Sequence, residues 1–168
     1  MKLLLIDGYN LMHASKKLSK LAETDLEAAR DELVRMLLDY SGREDVRVEV
    51  VFDAGGRPGP ETKKKTGDLV TVTYTARGKT ADARLEKAAY EAGREEATLV
   101  TGDYQQQKVG TGAGALIISS REFIIELEAM WKSGRGGKPQ PARKRSRLED
   151  RLPDEVREKL REMRERGP

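Results

Sequence analysis

Four aspartates matter because of where they fall in the chain. Asp7 closes the apolar run Leu3-Leu4-Leu5-Ile6 and is followed by Gly8, Tyr9 and Asn10. Asp53 closes Val46-Arg47-Val48-Glu49-Val50-Val51-Phe52, and Asp103 follows Ala97-Thr98-Leu99-Val100-Thr101 after one glycine. Asp82, in Thr80-Ala81-Asp82-Ala83, opens a helical pattern. The apolar runs read as strands buried on both faces of a parallel sheet. Ligands of open α/β sheets bind beyond the carboxyl ends of the strands, which is where Asp7, Asp53 and Asp103 would stand. Converging carboxylates repel one another unless a cation lies between them, so the pattern implies bound magnesium or manganese. Such an ion can activate water and neutralise charge developing on a phosphate. Asn10, three residues past Asp7, can turn its amide toward that carboxylate or toward a phosphate.

Each of these residues also has a purely local reading. Asx residues cap turns and helices, which would account for Asp7 and Asn10. A helix dipole favours an acid such as Asp82 in the first turn. Glu86 lies four residues after Asp82 and could face the same way, but exposed pairing on a helix with Lys87 nearby explains it better. Rival chemistries find little support. The chain has no cysteine and a single histidine, His13, so disulfides, thiol catalysis, Cys-type zinc sites and His clusters are excluded. A metal would therefore be held by oxygen. Ser119 and Ser120 read as helix caps, with no sign of a triad. Gly110-Thr111-Gly112-Ala113-Gly114 is not followed by the Lys-Ser/Thr of a phosphate-binding loop.

The elements that must position these acids follow from periodicity. Thr24-Asp25-Leu26-Glu27 reads as a capping box opening a helix over residues 25–40, ended by Ser41-Gly42. Residues 11–21 are only weakly periodic. Gly55-Gly56-Arg57-Pro58-Gly59-Pro60 and the following Lys63-Lys64-Lys65 read as a mobile basic loop. Val70, Val72 and Tyr74 alternate with Thr71, Thr73 and Thr75 in a strand, and Thr80 can cap a helix reaching about residue 95. Gln105-Gln106-Gln107-Lys108 reads as a short polar helix. A strand over 115–118 then meets a second capping box, Ser119-Ser120-Arg121-Glu122, before a helix carrying Phe123, Leu127, Met130 and Trp131. The order is β-α-β-β-α-β-α-β-α, and right-handed crossovers would bring the strand ends to one edge.

At 168 residues the chain fits one domain, residues 1–131, with a basic linker and charged helical tail over 132–168. The formal charge of +3 is uneven. Lys132, Arg135, Lys138, Arg143, Lys144, Arg145, Arg147 and Arg151 face only Glu149 and Asp150, and residues 152–168 are balanced, so the body is net negative. An acidic body with a basic strap fits a polyanionic partner beside a carboxylate site, although a strap kept soluble by its charge reads the same way. With no long apolar run and no signal-peptide pattern, a soluble cytoplasmic protein without membrane association is expected.

Taken together, Leu5-Ile6-Asp7-Gly8-Tyr9-Asn10-Leu11, Val50-Val51-Phe52-Asp53-Ala54, Thr80-Ala81-Asp82 with Arg84, Leu85 and Glu86, and Thr101-Gly102-Asp103-Tyr104 resemble the YacP-type NYN domain. That domain is a branch of the PIN-like metal-dependent nucleases. The resemblance covers about residues 1–131, with the motifs in family order. It implies an α/β, PIN-like three-layer fold with a mostly parallel central sheet flanked by helices. It also implies magnesium- or manganese-dependent cleavage of single-stranded RNA and, in bacterial relatives, of messenger RNA on the translating ribosome. By position, Asp7, Asp82 and Asp103 would bind metal and Asn10 would orient Asp7 or the phosphate. Asp53, typical of this branch, would support the site from the next layer. Two other classes remain open: a non-catalytic RNA- or ribosome-binding module, and a phosphatase of small phosphoesters, the latter without a recognisable phosphoenzyme motif.

Overall fold

In the computed structural model, which describes residues 1–55, 58–92, 97–102 and 115–134, the chain begins with β1 (Leu3–Asp7) and three helices, α1 (Gly8–Ala14), α2 (Lys16–Thr24) and α3 (Leu26–Glu44). There follow β2 (Arg47–Phe52), β3 (Thr62–Thr66), β4 (Val70–Tyr74), α4 (Ala81–Ala92), β5 (Ala97–Thr101), β6 (Leu116–Ser119) and α5 (Ser120–Gly134). The six strands form one sheet in the order β3-β4-β2-β1-β5-β6, antiparallel only between β3 and β4. Asp7 pairs with Val51, Phe52 with Tyr74 and Thr101 with Ser119, so the carboxyl ends of the five parallel strands share an edge. All described residues fall in the unit Met1–Gly137.

Strand alternation builds two cores and hence three layers. Leu4, Ile6, Val48, Val50, Phe52, Val72 and Val100 pack with Leu11, Leu18, Leu33, Leu37, Phe123 and Leu127 of α1, α2, α3 and α5. On the opposite face, Leu5, Val51 and Leu99 pack with Ala81, Leu85, Ala88 and Ala89 of α4. The small alanine surface of α4 lets that helix lie close to the central strands.

Several boundaries differ from the sequence expectation, each for a local reason. Residues 11–21 form two helices broken at buried Ser15, whose Oγ accepts from Leu18 N–H and donates to Glu128. Asp25, not Thr24, caps α3 by accepting from Ala28 N–H at 2.9 Å, while Thr24 donates to the Leu21 carbonyl and closes α2. The α3 helix passes through Ser41-Gly42, with Ser41 buried and its hydroxyl satisfied by the Leu38 carbonyl. It stops only at Asp45, in the left-handed region at φ 54°. Lys63, Lys64 and Lys65 lie in β3 and not in a loop. Gly67, at φ 68°, makes the turn that folds β3 back onto β4. The β3 strand is an edge, and its lysines are exposed.

The second capping box forms as expected. Ser119 Oγ accepts from Glu122 N–H, and Glu122 accepts from Ser119 N–H and Oγ–H. The α5 helix runs on to Gly134, so residues 132–134 belong to it and not to a linker. Asp103, the expected helix at Gln105–Lys108, the glycine-rich stretch after it and the strap and tail from residue 135 lie outside the described residues. Among the described residues no helix is long and apolar enough to cross a membrane.

Candidate active site

The β1 strand delivers Asp7 to the sheet edge, where the chain turns at once into α1. Asp7 is its N-cap, with Oδ1 accepting from Asn10 N–H at 3.0 Å and Oδ2 accepting from the Asn10 amide at 3.2 Å. The capping role therefore holds, and it uses two of roughly four lone-pair sites on the carboxylate. Asp7 is only 7% exposed. Among the described residues no lysine, arginine or histidine pairs with it. A buried carboxylate whose only partners are neutral donors from one residue retains most of its need for a cation.

Two glycines make this geometry possible by leaving space. A Cβ at Gly8 would lie 2.3 Å from Cε1 of Phe52, so only glycine lets the first turn of α1 press against the end of β2. A Cβ at Gly102 would lie 2.7 Å from Asn10 Oδ1 and 3.9 Å from Ser120 Oγ. Asn10 thus spans from Asp7 to the end of β5. Ser120 is 2% exposed, and its hydroxyl is buried without a hydrogen-bond partner. Ser120 is no part of the cap expected of it, because Ser119 performs the capping and leaves the Ser120 hydroxyl beside Gly102. The β5–β6 register, Thr101 against Ser119, brings it there, and sequence carries no direct sign of that pairing.

The other acids are placed differently. Asp53 follows β2 at the same edge but turns into its own loop, with Oδ1 accepting from Gly55 N–H at 2.8 Å. Asp82 is exposed in the first turn of α4, where Thr80 Oγ1 accepts from Ala83 N–H at 3.2 Å, the cap expected from the sequence. Glu86 is exposed one turn on. The described residues contain no group of three or more acids or histidines placed to hold a metal among themselves, and Asp103 lies outside them.

Arg84 fixes the height of α4 against the sheet. Buried at 8% exposure, it pairs with Glu49 of β2 at 2.7 Å and with Glu61 at 3.3 Å, and Glu49 also accepts from Thr73 at 3.0 Å. This ties the helix carrying Asp82 to the central strand ending at Phe52. On the other face, Arg30 of α3 reaches the same edge. Its guanidinium carbon lies 5.3 Å from the Tyr9 ring centroid, 5.8 Å from Phe52 and 5.7 Å from Tyr74, and it donates to the Tyr9 hydroxyl. Nothing local in the sequence relates Arg30, in the second turn of α3, to the ends of β2 and β4.

The class is that of α/β proteins with a mostly parallel six-stranded sheet and with Asp7 and Asp53 at its carboxyl edge. Within that class the chain is a member of the YacP-like NYN domain family, which it matches over residues 4–165. It is 41% identical over 133 residues to the uncharacterized protein YacP of Bacillus subtilis (strain 168), covering 77% of each chain. The fold is also similar to crystal structures of Rae1 (YacP) from Bacillus subtilis. One matches with a TM-score of 0.69 at 32% identity over 99% of this chain and 96% of that one. Another, of a mutant of that same protein, matches with a TM-score of 0.67 at 35% identity over 79% of each.

Proposed function

We propose that this chain is a magnesium- or manganese-dependent endoribonuclease that hydrolyses phosphodiester bonds of single-stranded RNA, with messenger RNA on the ribosome as its setting. The observation that carries this reading is Asp7, a buried carboxylate at the strand edge that lacks a basic partner among the described residues and keeps free lone pairs. That donor set suits a hard divalent ion, and membership of the NYN family supplies the substrate class. When bound, the ion would supply a polarised water and neutralise charge on the phosphate.

The protein's own groups would then divide the work. Asp7, Asp82 and Asp103 would hold the ion. Asn10, held between Asp7 and Gly102, would keep the Asp7 carboxylate aimed outward. Ser120 would offer its unused hydroxyl to a phosphate oxygen or a water, and Asp53 would order the loop after β2.

A second reading, a non-catalytic RNA-binding module, is favoured by the exposed Lys63, Lys64 and Lys65 and by exposed Arg77 and Lys79, which follow β4 at the same edge. One experiment separates the two. Labelled RNA is incubated with the full chain in magnesium, in manganese and in chelator, with and without ribosomes, alongside Asp7→Asn. The nuclease reading expects metal-dependent cutting that Asp7→Asn abolishes while the fold survives. Metal-independent binding without cutting in every arm, ribosomes included, would leave only the module.

A further inference from the structure

Beyond Phe52 and Tyr74, paired at the ends of β2 and β4, lies a pocket of about 210 Å³ lined by Arg30, Asp53, Pro58, Pro60, Thr62 and Tyr74 among others. That is below the range of about 300–1,000 Å³ that takes a drug-sized ligand, so it suits one planar base without its sugar and phosphate. Its chemistry is two-sided. Arg30 presents a guanidinium held by three aromatic rings and the Tyr9 hydroxyl. Among the described residues no carboxylate pairs with it, and its Nε is buried without a hydrogen-bond partner. Nε is therefore out of a ligand's reach and one Nη2 hydrogen is taken by Tyr9, which leaves Nη1 and the second Nη2 hydrogen as the donor fork for an outside acceptor. Asp53 lines the same pocket, with Oδ1 accepting from Gly55 N–H. A carboxylate facing the same space disfavours a phosphate. Pro58, Pro60 and the Tyr74 ring supply apolar walls.

A donor fork and a carboxylate lining one pocket match guanine better than the other bases. Guanine alone pairs two adjacent acceptors, O6 and N7, with N–H donors on its Watson–Crick edge. We propose that this pocket takes one unpaired guanine base of an RNA strand. Arg30 links it to the Asp7 end of β1, because Arg30 stacks over Tyr9, Tyr9 meets Phe52 edge-on, and Phe52 lies against Gly8, the neighbour of Asp7. A guanine held there lies at a fixed step along the strand from the phosphate at Asp7. This last point rests on the ribonuclease reading, whereas the binding itself does not.

The test uses the full chain and the four nucleosides, which carry no phosphate, titrated by calorimetry with inorganic phosphate as competitor. Guanosine should bind at least tenfold more tightly than adenosine, cytidine or uridine and should resist displacement by phosphate. Arg30→Met should weaken guanosine at least tenfold. Arg30→Lys, which keeps the charge and loses the fork, should erase the preference, and thermal melts of both variants report whether the fold is intact. In cleavage mapping, a guanine should recur at one offset from the cut. Equal affinity for all four nucleosides, displacement by phosphate, or unchanged guanosine binding in a folded Arg30→Lys overturns the proposal. Cutting without a fixed guanine and with flat nucleoside binding would sink the pocket and leave the nuclease standing. Guanosine preference without any cutting would do the reverse.

Discussion

Gly102 has no side chain to contribute, yet it decides where Asn10 sits. Alanine there would put its Cβ 2.7 Å from Asn10 Oδ1, and the amide is the flexible party that must give way. We expect Gly102→Ala to fold normally but to lose at least tenfold in RNA cleavage, since Asp7 would lose the side-chain bond that holds Oδ2. Cleavage rate and melting temperature measured together check this, and a normal rate would mean that Asn10 does not act through Asp7. At this scale the sequence was partly readable. Asp7 and Asn10 could be singled out because a strand ending in Asp-Gly declares itself locally. Ser120 and Arg30 could not, because their meaning depends on the β5–β6 register and on the docking of α3, both long-range facts.

Between elements, the buried Arg84 pairs decide how α4 sits. Removing one member of a buried ion pair strands the other, typically at a cost of about 3–5 kcal/mol. Arg84→Met should therefore destabilise the fold by about 3 kcal/mol in urea titrations, since Glu49 would keep only Thr73 as a partner. The double variant Arg84→Met with Glu49→Leu should recover most of that loss. A single variant as stable as the parent would show that Thr73 and solvent already satisfy Glu49 without the arginine.

The α3–α5 contact titrates instead. Burial first, and then the Glu126 carboxylate that accepts its bond at 3.1 Å, push the Tyr40 hydroxyl well above the ordinary tyrosine value of 10.0. A folded-state value raised above the unfolded one means that the native protein holds this proton more tightly. The stabilisation is complete below pH 10 and is lost as pH rises beyond it. Tyr40→Phe should flatten the fall in stability above pH 10, as read by melting temperature against pH. Helix and strand types were largely legible from periodicity. The exceptions, Lys63–Lys65 in β3 and the run of α3 through Ser41-Gly42, arose where strand pairing and burial of Ser41 against the rest of the fold overrode composition.

Across the whole molecule, charge was the most legible property and its arrangement the least. Composition separates a net-negative body from a basic stretch over residues 132–151. If that stretch supplies RNA affinity, truncation after Gly134, where α5 ends, should weaken binding and flatten its dependence on salt while leaving metal binding intact. Affinity titrated against salt for both lengths tests this, and identical slopes would assign the phosphate contacts to the body. Some basic residues of the body are clustered, since three successive lysines lie in β3, one of the two edge strands of the sheet. A strand in that position leaves backbone donors and acceptors open to a seventh strand, and a second copy of the chain is the nearest candidate. Six ammonium groups would then have to meet across one seam. The same lysines would therefore oppose such pairing as well as attract a polyanion. Acetylating them should release that restraint and let copies join edge to edge, an association visible as a heavier species in sedimentation.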